Sequence, residues 1–275
     1  MKQNELFTHT FKALRQQLGH DHPRDGRPLW QQSLRTDSVF CRALVSCGYL
    51  TTAQMLHAAQ RYRLGRTRDG GVIFWQIDEH NMVHEGKVMY YHCNCHRDHQ
   101  HHPTWVSFLL KRKYGCMDVE LATTHCLFGL HLLGHTDNTD DTDSRPICVV
   151  EAEKTAVILS EVFPQYLWMA AGGLNMLSVE KLLPLRNHKV TLFPDTDPDG
   201  KAYAAWLQIA EEASKELHHH IYVSDLLERQ ASLEQKARKI DLVDYLYVSQ
   251  KCHTDNTDDT DFIFPCELKY YSCDS

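Results

Sequence analysis

The chain has no apolar run near the ~20 residues needed to cross a bilayer. Its longest candidates, around Cys126 to Leu133 and Val157 to Met169, are short or interrupted by polar residues, so no membrane role is expected. The opening residues, Met1-Lys-Gln-Asn-Glu5, lack the charged-then-apolar layout of a secretory signal, and the ten cysteines are scattered rather than regularly spaced. On these absences a secreted disulfide framework is not expected, and reduced thiols in a cytoplasmic protein are the default expectation. Positive charge is also short. The formal net charge of -7 speaks against a nucleic-acid binder, but much of the acid is concentrated in two copies of His-Thr-Asp-Asn-Thr-Asp-Asp-Thr-Asp, at His135 to Asp143 and His253 to Asp261. Outside them, bases cluster at Arg61, Arg63, Arg66 and Arg68 and again at Lys111, Arg112 and Lys113, where local charge favours phosphate.

What is present suffices for a folded protein. A chain of 275 residues, 43% hydrophobic, buries a substantial core as one large domain or two small ones. From Phe7 to about Leu64 apolar residues recur at three and four, the pattern of helices, with Thr51 or Thr52 capping the helix that enters Ala53. Gly65 and Gly70-Gly71 end that stretch, and Val72 to Asp78 reads as a strand rich in β-branched and aromatic residues. Glu79-His-Asn81 is expected to turn into Met82-Val-His84, and Glu85-Gly-Lys87 to lead into Val88 to Tyr91, giving a small antiparallel sheet. The His-rich stretch from His92 to His102 is expected to be a loop. After the first acidic repeat, strands and helices alternate. Strands are expected over Pro146 to Val150, Tyr166 to Ala171, Lys189 to Phe193 and Ile221 to Val223, with helices over Glu153 to Val162, Ser178 to Leu183 and Lys201 to Leu217. That order implies an α/β domain, a parallel sheet with helices on both faces, whose chemistry gathers beyond the carboxyl ends of its strands. The expected division is a helical region at 1–70, a β/α subdomain at 71–134, an acidic low-complexity loop at 135–144, the α/β domain at 145–250, and an acidic repeat with tail at 251–275.

Glu151 directly follows the first strand of that domain, and Asp195 and Asp197 follow the third, so the sheet would carry all three carboxylates to one edge. Magnesium takes oxygen ligands, one or two carboxylates with waters and substrate phosphates, and acids at the rim of an open cleft suit it. Gly200 permits a tight turn into the following helix. The competing explanation is capping, with Asp199 capping the helix at Lys201 and Glu153 favouring a helix dipole. Capping is the better account of a lone Asp-x-Asp; the glutamate after an earlier strand tips the balance to a metal centre.

Val149-Val-Glu-Ala-Glu-Lys-Thr-Ala156 resembles the glutamate motif of the toprim family, and Phe193-Pro-Asp-Thr-Asp-Pro-Asp-Gly200 resembles its Asp-x-Asp-x-x-Gly motif. Ala170-Ala-Gly-Gly173 lies where that family places a glycine turn after its second strand, and Ala152 stands where glycine is usual. The segment from Lys239 through Ile-Asp-Leu-Val-Asp-Tyr-Leu246 resembles the motif closing the toprim region of phage-type and plasmid-type primases. Val72 to Tyr91 is similar to the small β subdomain that precedes toprim in bacterial primases, with Lys87 as the basic residue offered to nucleic acid. From about Ser33 to Leu246 the chain looks like a toprim-bearing family found on bacterial mobile elements. The resemblance implies a Rossmann-like toprim domain and a magnesium-dependent enzyme of nucleic-acid phosphodiester chemistry, nearest a primase-like nucleotidyltransferase, with manganese as substitute. It assigns Glu151 as metal ligand or general acid-base, Asp195 and Asp197 as magnesium ligands, Lys87 as a nucleic-acid contact and Gly172 and Gly173 as a turn. The basic residues Arg61, Arg63 and Arg66 beside that subdomain are expected to join Lys87 on phosphate, with Gly200 as a further turn. Expected partners are single-stranded DNA or RNA, nucleotides and a replicative helicase. No zinc ribbon of two-pair spacing precedes Val72, which leaves a toprim nuclease and a non-catalytic nucleic-acid-binding module as alternatives.

Weaker signals carry blander readings. Cys93-x-Cys95-His96 with His92, His99, His101 and His102 offers zinc-type ligands without the spacing of a standard site, so zinc is not expected. The Asp-rich repeat lacks the ordered glycine and terminal glutamate of an EF-hand and reads as a charged loop. His218-His-His220 reads as a solvent-facing junction, and Trp168, Trp206, Phe74 and Trp75 as packing rather than base-stacking platforms.

Overall fold

A computed structural model describes residues 29–114, 125–134 and 145–253 of the chain. The helix expected from Phe7, both acidic repeats apart from His253, and the C-terminal tail lie outside the described residues. The fold is mixed α/β, with one antiparallel and one parallel four-stranded sheet.

Three helices come first: α1 (Leu29–Ser33), α2 (Val39–Ser46) and α3 (Thr52–Arg61). Ser38 caps α2 by accepting from the Cys41 amide at 3.1 Å. Thr51, not Thr52, caps α3, because its hydroxyl accepts from the Gln54 amide while the Gln54 side chain accepts from the Thr51 amide, a reciprocal capping box.

The antiparallel sheet runs in the order β1 (Gly65–Arg66), β2 (Val72–Ile77), β3 (Val83–Met89), β4 (Thr104–Trp105), and α4 (Val106–Tyr114) follows directly. Every residue of β2 is buried because each face meets a different core. Ile73, Trp75 and Ile77 pack with Val83, Val88 and Val106, whereas Val72 and Phe74 join the main core. One expectation needs correction: Glu85-Gly86-Lys87 is not a step between two strands but the middle of β3. Gly86 lies opposite Trp75 in the ladder, and a Cβ there would come within 2.8 Å of the indole ring and of Val106. The glycine makes room for a side chain rather than a turn. Neither β4 nor α4 was anticipated, since a two-residue strand behind a histidine-rich run leaves no alternation to detect.

The parallel sheet has the order β6-β5-β7-β8, built from β5 (Ile147–Val150), β6 (Leu167–Ala170), β7 (Val190–Phe193) and β8 (Ile221–Val223). Its helices are α5 (Glu153–Val162), α6 (Val179–Leu182) and α7 (Lys201–Leu217), and the chain closes with α8 (Leu226–Gln230), α9 (Leu233–Ala237) and α10 (Leu242–His253). The expected boundaries of α5, α7 and β8 coincide with these. Trp75, Trp168, Trp206 and Phe74 are fully buried, in keeping with a packing role.

A continuous apolar core runs from Phe40 to Leu246 and includes residues of both sheets. At the junction Phe128 and Ala170 exchange backbone hydrogen bonds at 2.9 and 3.0 Å, and the Tyr62 hydroxyl donates to the Trp168 carbonyl at 2.7 Å. Among the described residues no helix is long and apolar enough to cross a membrane.

Candidate active site

β5 and β7 are adjacent and parallel, with Val150 opposite Phe193, so the chain segments leaving them emerge side by side. Glu151 and Asp195 therefore meet, and a Glu151 carboxylate oxygen accepts from the Asp195 amide at 3.2 Å. The Thr196 amide donates to the Ile240 carbonyl at 3.1 Å, which draws the start of α10 to the same edge. There Asp241 accepts from the Asp244 amide at 2.7 Å through one oxygen and from the Thr155 hydroxyl at 2.6 Å through the other. Lys154 Nζ stands 3.8 Å from that second oxygen. Glu151 and Asp241 are 8% and 6% exposed, while Asp195 and Asp244 are half-buried, so the cluster is partly withdrawn from water.

Its electrostatics follow from that withdrawal. Burial, then the neighbouring Glu151, Asp241 and Asp244 charges, push the Asp195 carboxyl well above the ordinary aspartate range. Burial also raises Glu151, with Asp197 and Asp241 adding to the shift, and it raises Asp244, with Asp241 adding. Burial alone would lower the Lys154 amine, but Asp241 and Asp244 outweigh it and the net shift is upward. Close carboxylates that resist ionising together are a familiar property of functional sites.

Asp197 differs from its neighbours. Its two oxygens accept from the Asp199 amide at 2.9 Å and the Ala202 amide at 2.7 Å, at the first turn of α7. Burial would raise it, but these backbone donors and the Lys201 amide hold it below the ordinary range. Capping of α7 is thus performed by Asp197 and not by Asp199, whose side chain pairs with the Lys201 amine. Gly172, Gly173 and Gly200 all have positive φ, at 96°, 145° and 67°, conformations that favour glycine. The Gly172 amide donates to the Glu151 carbonyl at 2.9 Å, placing the glycine turn beside the acid cluster.

The basic residues are dispersed. Lys87 is buried, with its amine 3.0 Å from a Glu153 oxygen and donating to the Gly172 carbonyl at 2.6 Å. Arg63 lies over the Trp30 ring and donates to Asn81 at 2.8 Å, Arg66 pairs with Asp37 at 2.7 Å, and the Arg61 carbonyl meets the His131 ring at 3.0 Å. Arg66 and Arg68 line a cleft of about 640 Å3 together with Arg35, Trp75 and Leu110. The sequence motifs had left Lys154, Thr155, Asp241 and Asp244 without an assigned role. The usable signal for the last two was Asp-x-x-Asp at a helix start, directly within the segment that closes the toprim-like region.

Among the described residues no three His, Cys, Asp or Glu side chains form a ready-made metal-ligand group. In the histidine-rich segment Cys95 is buried, which pushes its thiol up to about 12, while Cys93 and the neighbouring Cys47 are exposed. Magnesium asks for less than a complete ligand cage, since one or two carboxylates suffice beside waters and phosphates. Glu151 and Asp195 meet that requirement, being hard oxygen donors whose mutual repulsion a cation would relieve.

Comparison with known families finds a match over residues 38–196 to the family described as Domain of unknown function (DUF6371). The match covers more than half of the chain, and the protein belongs to that family. It includes Glu151 and Asp195 and stops before Asp197 and Asp241. No curated protein matches the chain.

Proposed function

We propose that this member of the DUF6371 family is a magnesium-dependent enzyme of nucleic-acid phosphodiester chemistry, a primase-like nucleotidyltransferase with a toprim-type catalytic domain, serving mobile-element replication. The observation that carries the reading is the convergence of Glu151 and Asp195 from adjacent parallel strands, with Asp241 beside them and the Glu151 and Asp195 carboxyls both pushed up by burial and by neighbouring acids. A purely structural role gives no reason to bury several like charges at the carboxyl edge of a sheet, where α/β proteins place their ligands.

Glu151 and Asp195 would hold the magnesium ion, or manganese in its place, with Asp197 nearby on the same loop. When bound, the ion supplies Lewis-acid stabilisation of charge on phosphoryl oxygens. Glu151 suits proton transfer, because its raised pKa lets it hold a proton closer to neutrality than an ordinary glutamate. The arginines at Arg61, Arg63 and Arg66 are the surface at which single-stranded DNA or RNA would meet positive charge. Lys87 would join them only by exchanging Glu153 for phosphate.

Melting of wild type and Asp195→Asn with and without magnesium, alongside assays for template-directed synthesis and for strand degradation, tests the proposal. Two carboxylates ~5 Å apart at an effective dielectric of ~20 repel by about 3 kcal/mol. Asp195→Asn should therefore melt at the same or higher temperature without metal, respond less to magnesium and lose activity. A variant that melts lower without metal, responds to magnesium as wild type does and keeps its activity would sink the proposal. Metal-dependent degradation without synthesis would assign the same site to a nuclease.

A further inference from the structure

The acid cluster is divided in two by its hydrogen bonds. In one half, both Asp241 oxygens are engaged, one by the Asp244 amide at 2.7 Å and the other by the Thr155 hydroxyl at 2.6 Å, with the Lys154 amine 3.8 Å away. The Lys154 side chain is only 16% exposed and leaves the first turn of α5, three residues after Glu151. In the other half, Glu151 accepts a single backbone hydrogen bond, from the Asp195 amide. Among the described residues no hydrogen-bond donor reaches the Asp195 carboxyl. One half therefore has a cation in contact with its carboxylate, whereas among the described residues no cation pairs directly with Glu151 or Asp195, and Lys154 acts on Asp195 only from a distance.

Resting on the metal-centre reading above, we propose that Lys154 takes the place of a second divalent cation, so that the site binds one ion, on Glu151 and Asp195, instead of two. Enzymes that displace groups at phosphorus commonly clamp the reacting oxygens between two metal ions. A lysine amine held beside Asp241, within the field of Asp244, supplies positive charge at one of the two positions permanently. It carries charge without demanding octahedral coordination or exchanging with solvent ions. Thr155 adds to this arrangement by fixing the Asp241 carboxylate from the neighbouring position on α5.

Manganese titration of the full chain, followed by electron paramagnetic resonance and by calorimetry, counts the ions without depending on activity. Wild type should bind one manganese ion per chain and Lys154→Met two, the second occupying the half that the amine vacates. Two ions on wild type, or one on both proteins, would overturn this inference while leaving the metal centre itself standing. No bound ion on wild type would overturn the metal centre and the inference together. Should Lys154→Met fail to melt cooperatively, Asp241→Asn is the second variant. It dismantles only the half that Lys154 serves, so the count should remain one, and a fall to zero would place the ion on Asp241 and overturn the assignment.

Discussion

Asp195 and Asp197 stand two residues apart on one loop and face opposite electrostatic situations. Asp195 is pushed up by burial and by Glu151, whereas Asp197 is held down by the amides that begin α7. Replacing the first removes a repulsion, and replacing the second removes a cap. Asp197→Ala should lower stability by about 1 kcal/mol, as loss of a capping oxygen generally does, and by the same amount with and without magnesium. Chemical denaturation under both conditions checks this, and a loss confined to the magnesium-bound protein would make Asp197 a ligand instead. The motif Asp-x-Asp-x-x-Gly marked both residues as candidates but could not tell them apart. Which carboxylate turns back to the helix depends on backbone direction through Gly200, where φ is positive, and sequence spacing does not encode that.

The elements of the parallel sheet were legible because each depends on a local signal. β5, β7 and β8 are short runs with β-branched residues, β6 is the apolar run Leu-Trp-Met-Ala, and α5 and α7 carry helical periodicity with clear ends. The antiparallel sheet was less so, because its register depends on packing between strands. Gly86 shows the difference: seen in sequence it marks a break, and in the sheet it accommodates the indole of Trp75. Trp75 is fully buried against Val106 and cannot withdraw. Gly86→Ala should therefore destabilise the protein by about 1–3 kcal/mol, the usual penalty for overfilling a packed interior. Thermal melting measures it, and an unchanged midpoint would mean that the indole has room to shift. The clustering of Asp241 and Asp244 with Glu151 was likewise hidden, since it depends on the Thr196–Ile240 contact between segments far apart in the chain.

At the scale of the whole molecule, the two sheets meet across buried charge. Lys87 pairs with Glu153, and Lys181, 8% exposed, donates to the Ala171 carbonyl at 3.2 Å. Burial lowers the Lys181 amine from 10.5 to about 8 despite the opposing pull of Cys126 and Glu153. Between those values the unfolded chain holds more protons than the folded one, so this residue's contribution to stability rises with pH across that window. The cost of burying the charged amine is fully present below pH 8 and fades as pH approaches 10.5. Relative to Lys181→Met, wild type should gain on the order of 1–2 kcal/mol over that interval, allowing for solvent screening. Parallel pH series of chemical denaturation would show it, and a constant difference between the two proteins would refute the assignment. The contact between Tyr247 and Tyr49, whose rings lie 4.8 Å apart and whose hydroxyl-to-carbonyl bond measures 2.7 Å, spans 198 positions of sequence. Asp241, which completes the acid cluster, belongs to the same late segment. During synthesis the ribosome releases both strands that carry Glu151 and Asp195 well before that segment emerges. A nascent or prematurely terminated chain thus holds two mutually repelling acids without Asp241 or the fixed position it gives Lys154, and the order of translation itself delays assembly of the site until that later segment has emerged.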